Sequence, residues 1–186
     1  MQRAVDSSPS LNASAPPRPA VPPFATVYDD HVKFAWRVLG RLGVARADLE
    51  DVCQEVFIVV HRRLGEFEGR SSLRTWIYGI ALRCASDYRR RAHRRAPAPI
   101  SEVAIASSQL EDLDALEARA TLERLLELLD PEKREVFVLF ELEELSMAEV
   151  VAIVGCPLQT GYSRLHAGRA IVTAAASRMR AKERRS

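Results

Sequence analysis

Five arginines fall within seven residues, at Arg89, Arg90, Arg91, Arg94 and Arg95. Arg74 and Arg83 precede them, with Trp76, Tyr78 and Tyr88 interleaved. Guanidinium groups grip phosphate oxygens, and aromatic faces can stack on unpaired bases. The set therefore suits a nucleic acid, including one with its bases exposed. Two plainer readings stand beside this one. Trp76 and Tyr88 fit a helix core, and arginines at a helix C-terminus gain from the macrodipole while remaining solvated. A second set is Gln159, Thr160, Tyr162, Ser163, Arg164, His166 and Arg169. Gln, Ser and Thr read base edges or hold phosphates, and Arg does either. A third set is acidic: Glu50, Asp51 and Glu55, with Gln54 among them. No His or Asp elsewhere has ligand spacing, and acids at a helix start have a purely electrostatic reason. No metal, cofactor or catalytic role is expected, and the chain is not read as an enzyme. The acids beside an apolar stripe read better as a docking face for a basic protein partner.

Charge is segregated along the 186 residues, although the net charge is only +2. Between Arg62 and Arg95 there are ten Arg against three acids, about +7. Between Glu102 and Glu149 there are fourteen acids against four basic residues, about −10, and from Arg164 onward seven basic residues against one Glu. Two basic blocks around an acidic middle suggest two separate contacts with a polyanion. Cys53, Cys84 and Cys156 are far apart and form no zinc or disulfide pattern. They fit a reducing, cytoplasmic setting. No apolar run approaches the roughly eighteen residues of a membrane span, and prolines interrupt the N-terminus where a signal peptide would need an apolar stretch.

The elements that position these sets all read as helices. Residues 1–23 are rich in Pro, Ala and Ser and are expected to be a disordered tail. A first helix carries Phe24, Val27, Val32, Ala35, Trp36 and Leu39 as candidate core, ending at Gly40 and Gly43. Asp48 is a candidate cap for a second, with Leu49, Val52, Cys53, Val56, Phe57 and Val60 at helical spacing. Ser71 or Ser72 caps a third, whose stripe is Leu73, Trp76, Ile77, Ile80, Ala81, Cys84 and Tyr88. Residues 97–111 read as a linker. A second helical unit spans 112–180, and 181–186 form a basic tail. Within that unit, Asp130-Pro131 opens one helix over "EKREVFVLFEL". Ser146 and Glu149 form a capping box for a short helix that Gly155 stops, and Pro157 starts the last. That final pair reads as a helix-turn-helix, whose second helix lies in the DNA major groove, or as an ordinary helical hairpin. The fold class is all-α, two small helical domains joined by a flexible linker.

The stretch "DLEDVCQEVFIVVHRRLGEFEGRSSLRTWIYGIALRCASDYRRR" resembles region 2 of bacterial sigma factors of the short extracytoplasmic-function class. "LDPEKREVFVLFELEELSMAEVVAIVGCPLQTGYSRLHAGRA" resembles their region 4, and the order matches. The resemblance implies a factor that binds core RNA polymerase and directs it to particular promoters. It places Asp51, Gln54 and Glu55 on the face that docks a coiled coil of the largest polymerase subunit. It places the −10 element against Arg70, Ser71, Ser72, Arg74, Trp76, Arg83, Asp87, Tyr88, Arg89, Arg90 and Arg91. The −35 duplex falls to Gln159, Thr160, Tyr162, Ser163, Arg164, His166 and Arg169, and the acidic linker to the RNA exit path. A dedicated anti-sigma factor is implied as a further partner. The chain departs from the pattern at Arg83, often Asn, at Gly161, usually apolar, at Tyr162, usually basic, and at Ala167, usually Arg.

Gly161 lowers helix propensity by about 1 kcal/mol against Ala. The expectation is a marginal recognition helix, weak −35 binding by region 4 and more promoter selection by region 2. Gly161→Val is then stabilising if the site is buried against Val150 or Val151, and destabilising if the packing there is already close. The alternative function is a stand-alone helix-turn-helix regulator, which needs no acidic docking face. An anti-sigma or adaptor protein leaves the interleaved Arg and aromatic residues without a role.

Overall fold

The computed structural model describes residues 21–94 and 113–184. The expected tail over 1–23 lies outside these residues apart from 21–23, as do Arg95 and the linker over 97–111. Among the described residues every regular element is helical. The first unit holds α1 (Phe24–Arg41), α2 (Leu49–Arg63) and α3 (Leu73–Arg94). The second holds α4 (Leu113–Glu127), α5 (Pro131–Phe137), α6 (Met147–Val154) and α7 (Leu158–Glu183). Short 3₁₀ turns at Arg46–Asp48 and Leu64–Glu66 flank α2. The expected basic tail from 181 instead continues α7 as far as Glu183.

The helical spacing of apolar residues forms the first core as expected on α2, where Leu49, Val52, Cys53, Val56, Phe57 and Val60 are all buried. On α1 the core is Val27, Phe34, Ala35, Val38 and Leu39. Trp36, expected inside, is 37% exposed. On α3 the stripe is wider than expected, because Tyr78 is fully buried and packs edge-on against Phe34 at 4.5 Å. Its hydroxyl makes no hydrogen bond among the described residues. Burial first, and the neighbouring Glu143 carboxylate second, raise the pKa of this phenol. Tyr78 is thus a core residue and is not available to stack on bases.

Ser72 is the residue that caps α3, accepting from the Thr75 amide at 3.0 Å. Asp48 does not cap α2 through its side chain. Its carboxylate accepts instead from the Tyr88 hydroxyl at 2.6 Å, tying the start of α2 to α3. In the second unit, Asp130 accepts from the Lys133 amide, the Ser146–Glu149 capping box forms, and Gly155 closes α6 in the left-handed region at φ 71°. The helix expected over "EKREVFVLFEL" is interrupted. After Phe137 it loosens into a π turn, Val138–Leu142, closed by the Glu143 amide on the Val138 carbonyl at 3.1 Å. Glu144 follows at φ 58°, unusual for a residue with a side chain. Together the wide turn and Glu144 point Glu143 away from the second unit and toward the first.

Burial raises the thiol pKa of Cys53 to about 11. Burial, then Glu55 and Asp87, raises that of Cys84 to about 11. Little thiolate exists at pH 8 on either group, and thiolate is the reactive form. The native chain is expected to modify slowly at both positions with a disulfide reagent at pH 8, and denaturant is expected to release them. Peptide mass mapping of a short labelling pulse checks this, and rapid native labelling of Cys53 would contradict the packing.

Candidate functional site

Two surfaces of the first unit and one of the second carry the residues singled out from the sequence. Along α1 and α2 runs an open groove of about 940 Å³, with Tyr28, Val32, Trp36, Phe57 and Ile58 on its apolar walls and Glu50, Asp51 and Gln54 at its rim. Tyr28 is 42% exposed and Ile58 45%, next to Trp36. Tyr28 packs edge-on against Phe57, and Phe24 against His61, both at 4.8 Å, so the walls are held by ring contacts. Large apolar side chains left at the surface in one patch, rimmed by acids, mark an interaction site. The sequence reading found the rim and missed the walls. Ile58 carried a signal, being an apolar residue on the polar face of α2. Asp51 and Gln54 lie together at this groove. Glu55 does not line it, and accepts two hydrogen bonds from Arg91 on α3 at 2.9 and 3.2 Å.

The second surface follows α3 and the loop before it. Arg70, Ser71, Ser72, Arg74 and Arg83 are exposed, as are Asp87, Arg90 and Arg91. Arg70 pairs with Glu68 at 2.9 Å, and Arg90 with Asp87. Trp76 is half-buried, tilted against Phe67 at a centroid distance of 5.5 Å. Tyr88 is half-buried and fixed by Asp48, so neither ring stands free. Burial, and then the bond to Asp48, raise the Tyr88 pKa. Arg89 is turned inward. It donates to the Leu42 carbonyl at 2.7 Å and to Glu135 of α5 at 2.5 Å. Arg74 donates to Glu143 at 3.1 Å and lies over the Phe34 ring at 4.5 Å. Arg83 is exposed and has no partner among the described residues.

The third surface is the outer face of α7 at its N-terminal end. Gln159, Tyr162, Ser163, His166 and Arg169 are exposed, Tyr162 by 50%, and Thr160 and Arg164 are half-buried. Leu158, one turn before Tyr162, is 51% exposed. The Ser163 hydroxyl donates back to the Gln159 carbonyl at 2.9 Å. Arg164 pairs with Glu132 and Arg169 with Glu141, each at 2.5 Å. Gly161 is on the inner face. A Cβ there would lie 2.6 Å from Val151 Cγ1 and 2.9 Å from Met147 Sδ. The glycine is a close-packing contact between α6 and α7, which is the second of the two outcomes left open for this position, a site already closely packed.

Residues 27–95 match the family model for sigma-70 region 2, and residues 119–172 match that for sigma-70 region 4. The ECF RNA polymerase sigma-E factor of Escherichia coli (strain K12) is 36% identical over 140 residues, covering 68% of this chain and 72% of that protein. The chain belongs to the ECF RNA polymerase sigma factors. It binds core RNA polymerase and directs promoter-specific transcription initiation. The sigma-E factor of Haemophilus influenzae (strain ATCC 51907 / DSM 11121 / KW20 / Rd) is 33% identical over 141 residues, 69% of this chain and 75% of that one. The fold is shared with the sigma factor RpoE of Bartonella quintana, solved with the anti-sigma factor NepR. That match has a TM-score of 0.67 and 22% identity, over 83% of this chain and 96% of that one. CnrH, solved with the cytosolic domain of CnrY, matches with a TM-score of 0.62 and 24% identity, over 83% and 87%. This sigma factor's helix-turn-helix therefore belongs to a polymerase subunit, and the stand-alone regulator is set aside. No described helix is long and apolar enough to cross a membrane.

Proposed function

We propose that the three surfaces divide the work of this sigma factor. The groove along α1 and α2, with Asp51 and Gln54 at its rim, receives a basic amphipathic helix of core polymerase. The α3 surface, Arg70 to Arg91, holds the −10 element. The outer face of α7, Gln159 to Arg169, meets the −35 duplex. The observation that carries this reading is the groove itself. Tyr28, Trp36 and Ile58 are exposed together beside acids at the start of α2. A lone solvated helix face would not leave them so, because burying each would be favourable. Glu55 acts one step removed, by holding Arg91 between the two faces. We place the protein in the cytoplasm, without catalytic activity of its own and without a cofactor, and under the control of an anti-sigma protein that competes for the groove.

The test is binding of core polymerase to Asp51→Arg with Gln54→Arg, two of the polar residues at the groove's rim. Both side chains are solvent-accessible, so the melting temperature should change little. Affinity for core is expected to fall about tenfold or more, as for repulsive charge placed at a complementary interface. A double variant that captures core as well as the unmodified chain removes the docking assignment. Trp36→Ala with Ile58→Ala probes the apolar walls independently, and is expected to weaken core binding by a similar factor.

A further inference from the structure

Two of the arginines assigned to the −10 element are paired with carboxylates from the other helical unit. Arg74 holds Glu143, and Arg89 holds Glu135. Both acids come from the second unit and both arginines from the first. The contact is built, and is not a chance surface pair. The Glu143 side chain is 1% exposed and bridges Arg74 of α3 and Arg41 of α1, the latter at 2.5 Å. The π turn and the left-handed Glu144 are what bring it there. Beside it, Arg134 of α5 donates to the Arg41 carbonyl at 2.7 Å. Its guanidinium lies where a side chain on Gly43 would stand, with Nη1 2.9 Å from the position of a Cβ. Gly43 itself has φ 91°, a backbone shape that favours glycine, and any side chain there would displace the Arg134 guanidinium. Thr75 reaches Glu149 at 3.4 Å at the edge of the same interface.

We propose that Glu143 is an intramolecular latch: it closes region 4 onto region 2 in the free protein by standing where a DNA phosphate would stand on Arg74. Glu135 does the same at Arg89. Carboxylate and phosphate compete for the same guanidinium donors, so the closed state and the DNA-bound state exclude each other. The competition rests on the −10 assignment of Arg74 and Arg89, whereas the closure does not. The acidic middle segment and the basic block after Arg62, opposite in sign along the sequence, find here a common purpose. The cost of closure is also limited. Arg74 is half exposed, so it stays partly hydrated and a competing phosphate can reach it. A buried carboxylate without its arginines is strongly disfavoured, so opening exposes Glu143 to water rather than leaving it unpaired.

The experiment uses the full chain, unmodified and as Glu143→Gln. Small-angle X-ray scattering reports closure through the radius of gyration, and fluorescence anisotropy of an arbitrary-sequence 30-base-pair duplex reports DNA affinity in low salt. Glu143→Gln is expected to shift the closed-to-open ratio by about tenfold or more toward open, with a larger radius of gyration. It should also tighten duplex binding by the free chain by a similar factor. Arg41→Gln, outside the DNA set, should do the same, and covers the case in which Glu143→Gln fails to fold. Melting curves for both variants identify that case. If both variants remain as compact as the unmodified chain, the latch is overturned. If they open and duplex affinity does not change, closure stands but the competition falls, and with it the DNA assignment of Arg74 and Arg89.

Discussion

Gly161→Val is expected to lower the melting temperature of the full chain. The position is inside the α6–α7 contact, and a Cβ would already lie 2.6 Å from Val151 Cγ1 and 2.9 Å from Met147 Sδ. Val adds two further methyl groups to that space. Met147 can rotate away, because its thioether is unbranched and flexible. Val151 is stiff at χ1, so relief there requires the helices to separate. Overpacking of this kind costs about 1–3 kcal/mol. For a chain of this length each kcal/mol lowers the melting temperature by about 2–4 °C. The propensity gain of Val over Gly, a few tenths of a kcal/mol, is too small to reverse the sign. The same spreading of α6 from α7 should weaken binding of the duplex element, because the reading face is oriented by that contact. A melting temperature equal to or above that of the unmodified chain would show that the contact yields, and would restore the account of a marginal helix short of one apolar residue.

Salt dependence is expected to change as much when the arginine run is removed. With core polymerase bound, log K for promoter DNA should fall steeply against log salt. Each phosphate that is no longer neutralised reduces that slope by about 0.9 on duplex DNA, so Arg90→Ala with Arg91→Ala should reduce it by roughly 1.8. Both residues are exposed, and their partners Asp87 and Glu55 are exposed or half-exposed, so the fold should tolerate the change. Adding Arg89→Ala brings the expected reduction to roughly 2.7. That third substitution also removes bonds to Leu42 and Glu135, so its effect on melting must be measured alongside. An unchanged slope in the double variant would return the run to a solvated helix end that owes its composition to the macrodipole.

The sequence by itself determined where most of the helices fall, most of their caps and the two-unit order, although Asp48 makes no side-chain cap and the helix after Pro131 breaks into a π turn. Those features depend on contacts within a few residues: the Ser146–Glu149 box, Asp130 before Pro131, Gly155 after α6, and the i, i+3, i+4 stripe of α2. It also determined the family, because the motifs of both regions are contiguous strings. What it left open depends on which side of a stripe meets another element. Trp36 and Tyr78 have equal standing as helix aromatics, yet one lines an open groove and the other is sealed against Phe34. The stripes on α1 and α2 are wider than the three-helix core can cover, so the residues at their margins form the groove. Tyr88 has the spacing of a stacking ring, but Asp48, forty residues away, holds its hydroxyl. Gly161 reads either as a weakness of one helix or as a close contact between two, and only the packing against Val151 and Met147 decides for the contact. The π turn has no Pro or Gly to announce it within Val138–Leu142. It serves a carboxylate whose partners, Arg41 and Arg74, are 102 and 69 residues away, and only the tertiary structure brings charges that distant to one point.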